Sequence, residues 1–346
     1  MLLFQTALEQ ARFRGPLALG CAAAWALVAR RMVVRRIDLP PRARVITIGG
    51  ATLGGSGKTP LAMACAAELA ARGARVALVG HAYRANPGAA RIVAPDDPLH
   101  EVGDEALLAA RALGPAGIRV IVAPRRADAV ALAARVADVL VLDGVAQTSP
   151  VRAALALLAV DAREPWGRGG AVAPRGDLRA PKAVLLRACD GLVTIADSSD
   201  TGADIAEDSE GMFGSWRGRA TSRGAWVGGT LRTWGDLAGL RLGLLCAIAR
   251  PERVIHFLHE RGILLRAVVR ARDHGPVPAS VFRRSAGTAR GGLRIDLWLA
   301  TQKCFVHFGL PRAGVGKNLH APIGAIDYSL RLSPALVGRL GSLAAP

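Results

Sequence analysis

The 346 residues carry 45 Lys and Arg against 27 Asp and Glu, a net charge of +18. Such a balance predicts an anionic partner, but aromatics are only 4% and the basic residues are spread along the chain. That distribution excludes a stacking platform for single-stranded nucleic acid and leaves an anionic membrane surface or a phosphorylated substrate. The length predicts two domains, or one large one. The cysteines Cys21, Cys65, Cys189, Cys246 and Cys304 have no C-x-x-C spacing, so they read as buried thiols in a reducing compartment rather than a zinc site.

The first element is Pro16–Ala29, an uncharged, mostly apolar run. Arg12 and Arg14 precede it; Arg30, Arg31, Arg35 and Arg36 follow. It is short of the roughly 20 residues that span a bilayer. Cations at both ends suit a helix lying in an anionic leaflet. A buried core helix and a cleaved signal peptide are the competing readings.

Val45-Ile46-Thr47-Ile48 is a β-branched strand, and Leu61 to Ala71 is an Ala-rich helix closed by Gly73. Between them lies Gly49-Gly50-Ala51-Thr52-Leu53-Gly54-Gly55-Ser56-Gly57-Lys58-Thr59-Pro60. Strand, glycine loop and helix bring backbone N–H groups onto an anion at a helix N-terminus. Gly54, Gly55, Ser56 and Gly57 form the cradle, Lys58 reaches the β- and γ-phosphates of ATP, and the Thr59 hydroxyl ligates Mg²⁺. The strict pattern has Gly where Thr52 stands. A nucleotide site at this position argues against export of the chain.

Arg75–Val79 is the next strand and leads to Gly80-His81-Ala82-Tyr83-Arg84. Arg91–Ala94 is a short strand. Glu101-Val102-Gly103-Asp104-Glu105 opens a helix that runs to about Leu113, where Gly114 and Pro115 stop it. Ile118–Ala123 is a strand and Arg125–Ala137 a helix. Val139-Leu140-Val141-Leu142-Asp143 is an apolar strand ending in a carboxylate, the arrangement that places Asp143 on Mg²⁺ after a P-loop. Leu155–Val160 and Leu192–Ile195 are further strands. Asp197–Gly229 reads as linker or irregular surface, with a domain boundary near Leu231–Leu240. The second half continues with Leu242–Ile248, Pro251–Arg261, Ile263–Val269 and Leu293–Leu299 as strand, helix, strand, strand. The alternation predicts an α/β fold with parallel sheets covered on both faces.

Taken together these landmarks resemble the tetraacyldisaccharide 4'-kinase family. The P-loop, Gly103-Asp104-Glu105, Ala123-Pro124-Arg125-Arg126, Trp166-Gly167-Arg168-Gly169 with Pro174 to Pro181, Ala247 to Arg253, Asp273-His274 and Thr301 with Lys303 carry the likeness. The family's D-D-G-x-Q-H is Asp143-Gly144-Val145-Ala146-Gln147-Thr148, its S-R-G-Y keeps only Tyr83, and Cys304 stands for the last Asp of T-T-x-K-D. The resemblance implies a P-loop NTPase-like parallel-sheet domain, a second smaller α/β domain and an N-terminal membrane-associating helix, with divisions at 1–36, 37–235 and 236–346. It implies transfer of the γ-phosphoryl of ATP to the 4'-hydroxyl of a lipid A disaccharide precursor, with Mg²⁺, at the cytoplasmic face of the inner membrane. Asp104 would be the catalytic carboxylate and His274 its partner across the domain cleft. Arg125, Arg126, Arg175 and Arg179 would meet the substrate's anomeric phosphate. The alternative is a degenerate paralogue, or another P-loop NTPase, that binds nucleotide without phosphorylating lipid.

Overall fold

The computed structural model describes residues 15–167, 169–197, 213–248, 251–270, 295–308 and 321–344. Arg168, Asp273 and His274 lie outside them. The chain forms two compact units, Met1–Ala220 with Leu330–Pro346, and Thr221–Ser329.

The first unit runs α1 (Pro16–Val33), β1 (Val34–Arg36), β2 (Arg44–Gly50), α2 (Lys58–Ala71), β3 (Val76–Val79), β4 (Arg91–Ile92), α3 (Leu99–Val102), α4 (Asp104–Leu113), β5 (Arg119–Val122), α5 (Arg126–Ala133), β6 (Val139–Asp143), β7 (Gln147–Ser149), β8 (Leu155–Asp161), α6 (Lys182–Ala188), β9 (Gly191–Ala196) and β10 (Gly214–Thr221). The second follows as β11 (Gly224–Val227), β12 (Thr230–Thr233), α7 (Trp234–Leu237), β13 (Leu242–Cys246), α8 (Pro251–His259), β14 (Leu265–Arg270), β15 (Leu297–Ala300), α9 (Gln302–Phe305) and β16 (Ile323–Ile326). The chain then returns to the first unit through β17 (Ser329–Leu332) and α10 (Pro334–Ala344).

The first unit's nine-stranded sheet has the order β17-β10-β9-β8-β2-β6-β3-β5-β4. From β10 to β5 neighbouring strands are parallel, and β4 pairs antiparallel with β5 at the edge. Every residue of β6 and β8 is buried. Their unbroken apolar sequences follow from helices lying on both faces. The second unit's sheet, β12-β11-β16-β15-β13-β14, is parallel from β14 to β16 and antiparallel at β11 and β12.

The architecture matches the α/β expectation, and several local expectations change. The N-terminal helix continues through Arg30 and Arg31 to Val33 because its buried stripe, Ala22, Ala26, Ala29 and Val33, continues at helical spacing. That stripe packs on Ala51, Ala146, Leu178, Ala180 and Leu185, and β1 pairs with β7, so residues 16–36 are joined to the P-loop unit rather than set apart. The helix expected from Glu101 is broken at Gly103, whose φ of +87° suits glycine. The segment expected to be linker holds β10 and β11. Trp216 and Ala220 point inward there, and the intervening arginines and glycines hid the two-residue period. The passage between units falls at Ala220/Thr221, not near 235, and residues from Leu330 onward rejoin the first unit.

Candidate functional site

The loop 51–57 lies between β2 and α2, with Gly55 at φ +74° and Gly57 at φ +81°. Left-handed backbone at both positions needs glycine. A Cβ on Gly50 would overlap the Ser56 hydroxyl and meet the Lys58 stem at 3.4 Å, so glycine there lets the lysine cross the strand end. Thr52, standing where the strict motif has Gly, donates from Oγ1 to Gly54 O at 2.7 Å and stabilises the turn. A second loop is strapped onto this one. The Leu53 N–H donates to Asp177 O at 2.8 Å, and the Arg179 N–H donates to Ala51 O at 2.9 Å. The Gly/Pro-rich stretch before α6 is therefore held against the glycine loop.

Thr59 Oγ1 donates to Asp143 Oδ2 at 2.7 Å. The other carboxylate oxygen, Asp143 Oδ1, is buried and makes no hydrogen bond among the described residues. Burial pushes the Asp143 carboxyl above the usual carboxylate range; Lys58 and the Thr59 hydroxyl oppose that shift. A hydroxyl with a free lone pair beside an orphaned carboxylate oxygen is a hard-oxygen donor set. It fits Mg²⁺, which takes one or two carboxylates and completes its shell with water and phosphate. No group of three His, Cys, Asp or Glu able to hold a metal occurs among the described residues.

Cations surround this pair. Arg126 is half-buried and donates from Nη1 to Val79 O at 3.1 Å and to Gly80 O at 2.9 Å. Its Nη2 lies 3.6 Å from where a Cβ on Gly144 would stand, and Gly144 has φ +80°. Arg179 reaches the carbonyls of Thr52 and Leu53 at 3.4 and 3.5 Å, and its Nε is buried without a partner among the described residues. Burial lowers the pKa of both guanidiniums, Asp143 opposes this, and the nearby positive charge of Arg35 on β1 adds to it. Arg125 and Arg175 are exposed, and Arg125 pairs with Asp128 at 2.9 Å. Of the four arginines expected to meet substrate phosphate, two face the P-loop and two face solvent.

Asp104 opens α4 and is buried, with Oδ1 accepting the Glu105 N–H at 2.8 Å. Glu105 is the acid whose charge acts on Asp143, His81 and Arg179. His81 follows β3, which pairs with β6 in a register that brings Gly80 beside Asp143. Burial, with Arg126 adding and Glu105 opposing, pushes the His81 pKa down to about 4. Its imidazole is therefore neutral at pH 7. Sequence reasoning named neither Glu105 nor His81 as a site residue. Their position one and two residues past a sheet or helix terminus beside the P-loop was the available signal.

The family model described as "Tetraacyldisaccharide-1-P 4'-kinase" matches residues 15–312. The chain belongs to the tetraacyldisaccharide-1-P 4'-kinase family. A tetraacyldisaccharide 4'-kinase of Methylobacterium radiotolerans is 36% identical over 324 residues, 90% of this chain and 91% of that one. One from Anaeromyxobacter dehalogenans strain 2CP-C is 34% identical over 315 residues, 82% of each chain. For the relative from A. dehalogenans strain 2CP-1, 36% identical, the match spans 64% of this chain and 60% of that one. The crystal structure of LpxK from Aquifex aeolicus in complex with ATP superposes with a TM-score of 0.65 over 94% of this chain and 97% of its own, at 16% identity, a likeness of fold. Within the tetraacyldisaccharide-1-P 4'-kinase family this member has Gly144 after the strand-ending Asp143, so a single carboxylate faces the P-loop threonine from β6.

Proposed function

We propose that this kinase transfers the γ-phosphoryl group of ATP to the 4'-hydroxyl of a tetraacyldisaccharide 1-phosphate, with Mg²⁺, at the cytoplasmic face of the inner membrane. The observation that carries this reading is the Thr59–Asp143 hydrogen bond, with the second Asp143 oxygen left for a cation. When bound, Mg²⁺ would be held by Thr59 and Asp143 and would neutralise charge on the β- and γ-phosphates. The P-loop amides and Lys58 bind those phosphates, and Arg126 and Arg179 add positive potential where charge is spread in the transition state. Asp104 accepts the proton of the attacking hydroxyl; for His274, which lies outside the described residues, the role of partner to that carboxylate is what the family resemblance implies.

The decisive experiment is phosphoryl transfer from labelled ATP to purified tetraacyldisaccharide 1-phosphate by the full chain. Labelled lipid product is the expected result. Intact ATP binding with no lipid product would favour the degenerate-paralogue reading, for which the absence of a second carboxylate at Gly144 is the motive.

The membrane part of the proposal rests on α1. Leu17, Leu19, Leu27, Val28 and Met32 are exposed along it, and Arg30, Arg31, Arg35 and Arg36 lie at its end and on β1. The helix is long and apolar enough to cross a membrane by length and composition. Its inner stripe shares a cluster with Trp166 and Leu178 of the loops beside the P-loop, so a lipid surface under α1 would hold the substrate's head group near the phosphates. Deleting Met1–Arg36 is expected to shift the protein from vesicles of anionic lipid to the soluble fraction, and salt should weaken binding of the intact chain. Equal partitioning of the two forms would reject the anchor.

A further inference from the structure

β2 occupies the point where the strand order reverses, with β6, β3 and β5 on one side and β8 and β9 on the other. Ligands of open α/β sheets bind beyond the carboxyl ends of the strands at that point. On the proposed nucleotide reading, Lys58, Thr59 and Asp143 fix the terminal phosphates toward β6. The remainder of a nucleotide wrapped by the loop then leaves over the ends of β8 and β9.

Those ends carry a charged cluster that the phosphate chemistry does not use. Asp161 ends β8 and Asp197 follows β9, and the register Asp161↔Ile195 sets the two strand ends side by side. Both carboxylates are buried, at 3% and 4% exposure. Asp161 Oδ1 accepts the Arg163 N–H at 2.9 Å and fixes the turn. The Arg163 guanidinium lies 3.7 Å from Asp197 Oδ2 and is one-third exposed. Ile195, two residues before Asp197, touches the last P-loop glycine: a Cβ on Gly57 would stand 3.0 Å from its Cγ1. A planar cation thus sits within ion-pair distance of a buried acid beside the loop, on the side away from Asp143. A guanidinium drawn toward a fixed carboxylate can still present its plane to an aromatic ring.

We propose that Arg163 is the platform on which the purine base of the nucleotide stacks, with the Asp197 carboxylate as the charge that keeps it beside the loop. The inference rests on the P-loop reading and adds the base-binding half of the site. Stacking favours a large π-surface, so the platform prefers purine over pyrimidine nucleotides.

Calorimetric titration of the full chain with ATP, CTP and inorganic tripolyphosphate tests it. Arg163→Ala should weaken ATP about tenfold, erase the preference for ATP over CTP, and leave tripolyphosphate unchanged. Arg163→Lys keeps the charge beside Asp197 but lacks the plane, and should lose the same preference while remaining folded. Equal weakening of ATP and tripolyphosphate would make Arg163 a general electrostatic residue and overturn the platform. So would unchanged ATP affinity in both variants, or full rescue by lysine. If the native chain binds neither ATP nor tripolyphosphate, the P-loop reading has failed and the platform falls with it.

Discussion

Replacing Lys58 with alanine is expected to lower phosphoryl transfer by at least about 10²–10³-fold while leaving the fold intact. Two losses combine. The terminal phosphates lose the cation that the P-loop aims at them. Asp143, which burial already pushes upward, loses the first charge that opposes the shift, so its carboxylate becomes a poorer metal ligand. The fold survives because the lysine side chain is half-exposed at the start of α2, and the buried residues of that helix, Leu61, Ala62, Cys65, Ala66 and Leu69, are untouched. Arginine should not rescue, since its fork cannot follow the lysine's path past Gly50. Transfer from labelled ATP, measured beside a thermal melt, checks both halves. Unchanged turnover in a folded variant would remove the P-loop from the mechanism.

Asp104→Asn and His274→Ala are each expected to lower kcat by at least about tenfold, within the range of general-base contributions, with nucleotide affinity little changed. Asparagine keeps an acceptor for the Glu105 N–H, so the start of α4 is preserved and the loss reports on the proton rather than on the helix. Groups that act on one proton are non-additive, so the double variant should lose less than the product of the two single losses. Full multiplicativity would show that the two act independently. Glu105→Gln is the necessary contrast, because the charge of Glu105 reaches Asp143 and Arg179. It should change nucleotide affinity. If Glu105→Gln instead abolishes kcat with affinity intact, the base lies one residue further along the helix.

The P-loop and Asp143 were legible in the sequence because each is a local pattern: the glycines encode a turn, and the apolar run of β6 encodes a buried strand. The α/β class was legible for the same reason. Side-chain direction was not. Arg125 and Arg126 are adjacent, yet one pairs with Asp128 at the surface and the other turns inward to the carbonyls of Val79 and Gly80. Only the packing of α5 on the sheet decides which is which. Asp104 and Glu105 likewise differ through the break at Gly103 that aims the first turn of α4. The pairing of β1 with β7 joins residues more than a hundred positions apart, and no periodicity signals it. His274 lies outside the described residues, so its role rests on the resemblance alone.

The place of β17 at the far edge of the nine-stranded sheet has a consequence during synthesis. β10 emerges before the second unit, but its edge neighbour β17 follows only after Thr221–Ser329 has been made. At ordinary elongation rates that interval is roughly 5–20 s. Throughout it the nascent chain presents an unpaired strand edge, the kind of template that recruits other chains. Helix α10, which packs on α2 and ties back through Arg44 Nη1 to Leu343 O at 3.1 Å, arrives later still. A ribosome that terminates within the second unit therefore releases a P-loop, Thr59 and Asp143 with an open sheet edge and an uncovered helix. The exposed edge and the uncovered helix both favour aggregation or degradation of such a product.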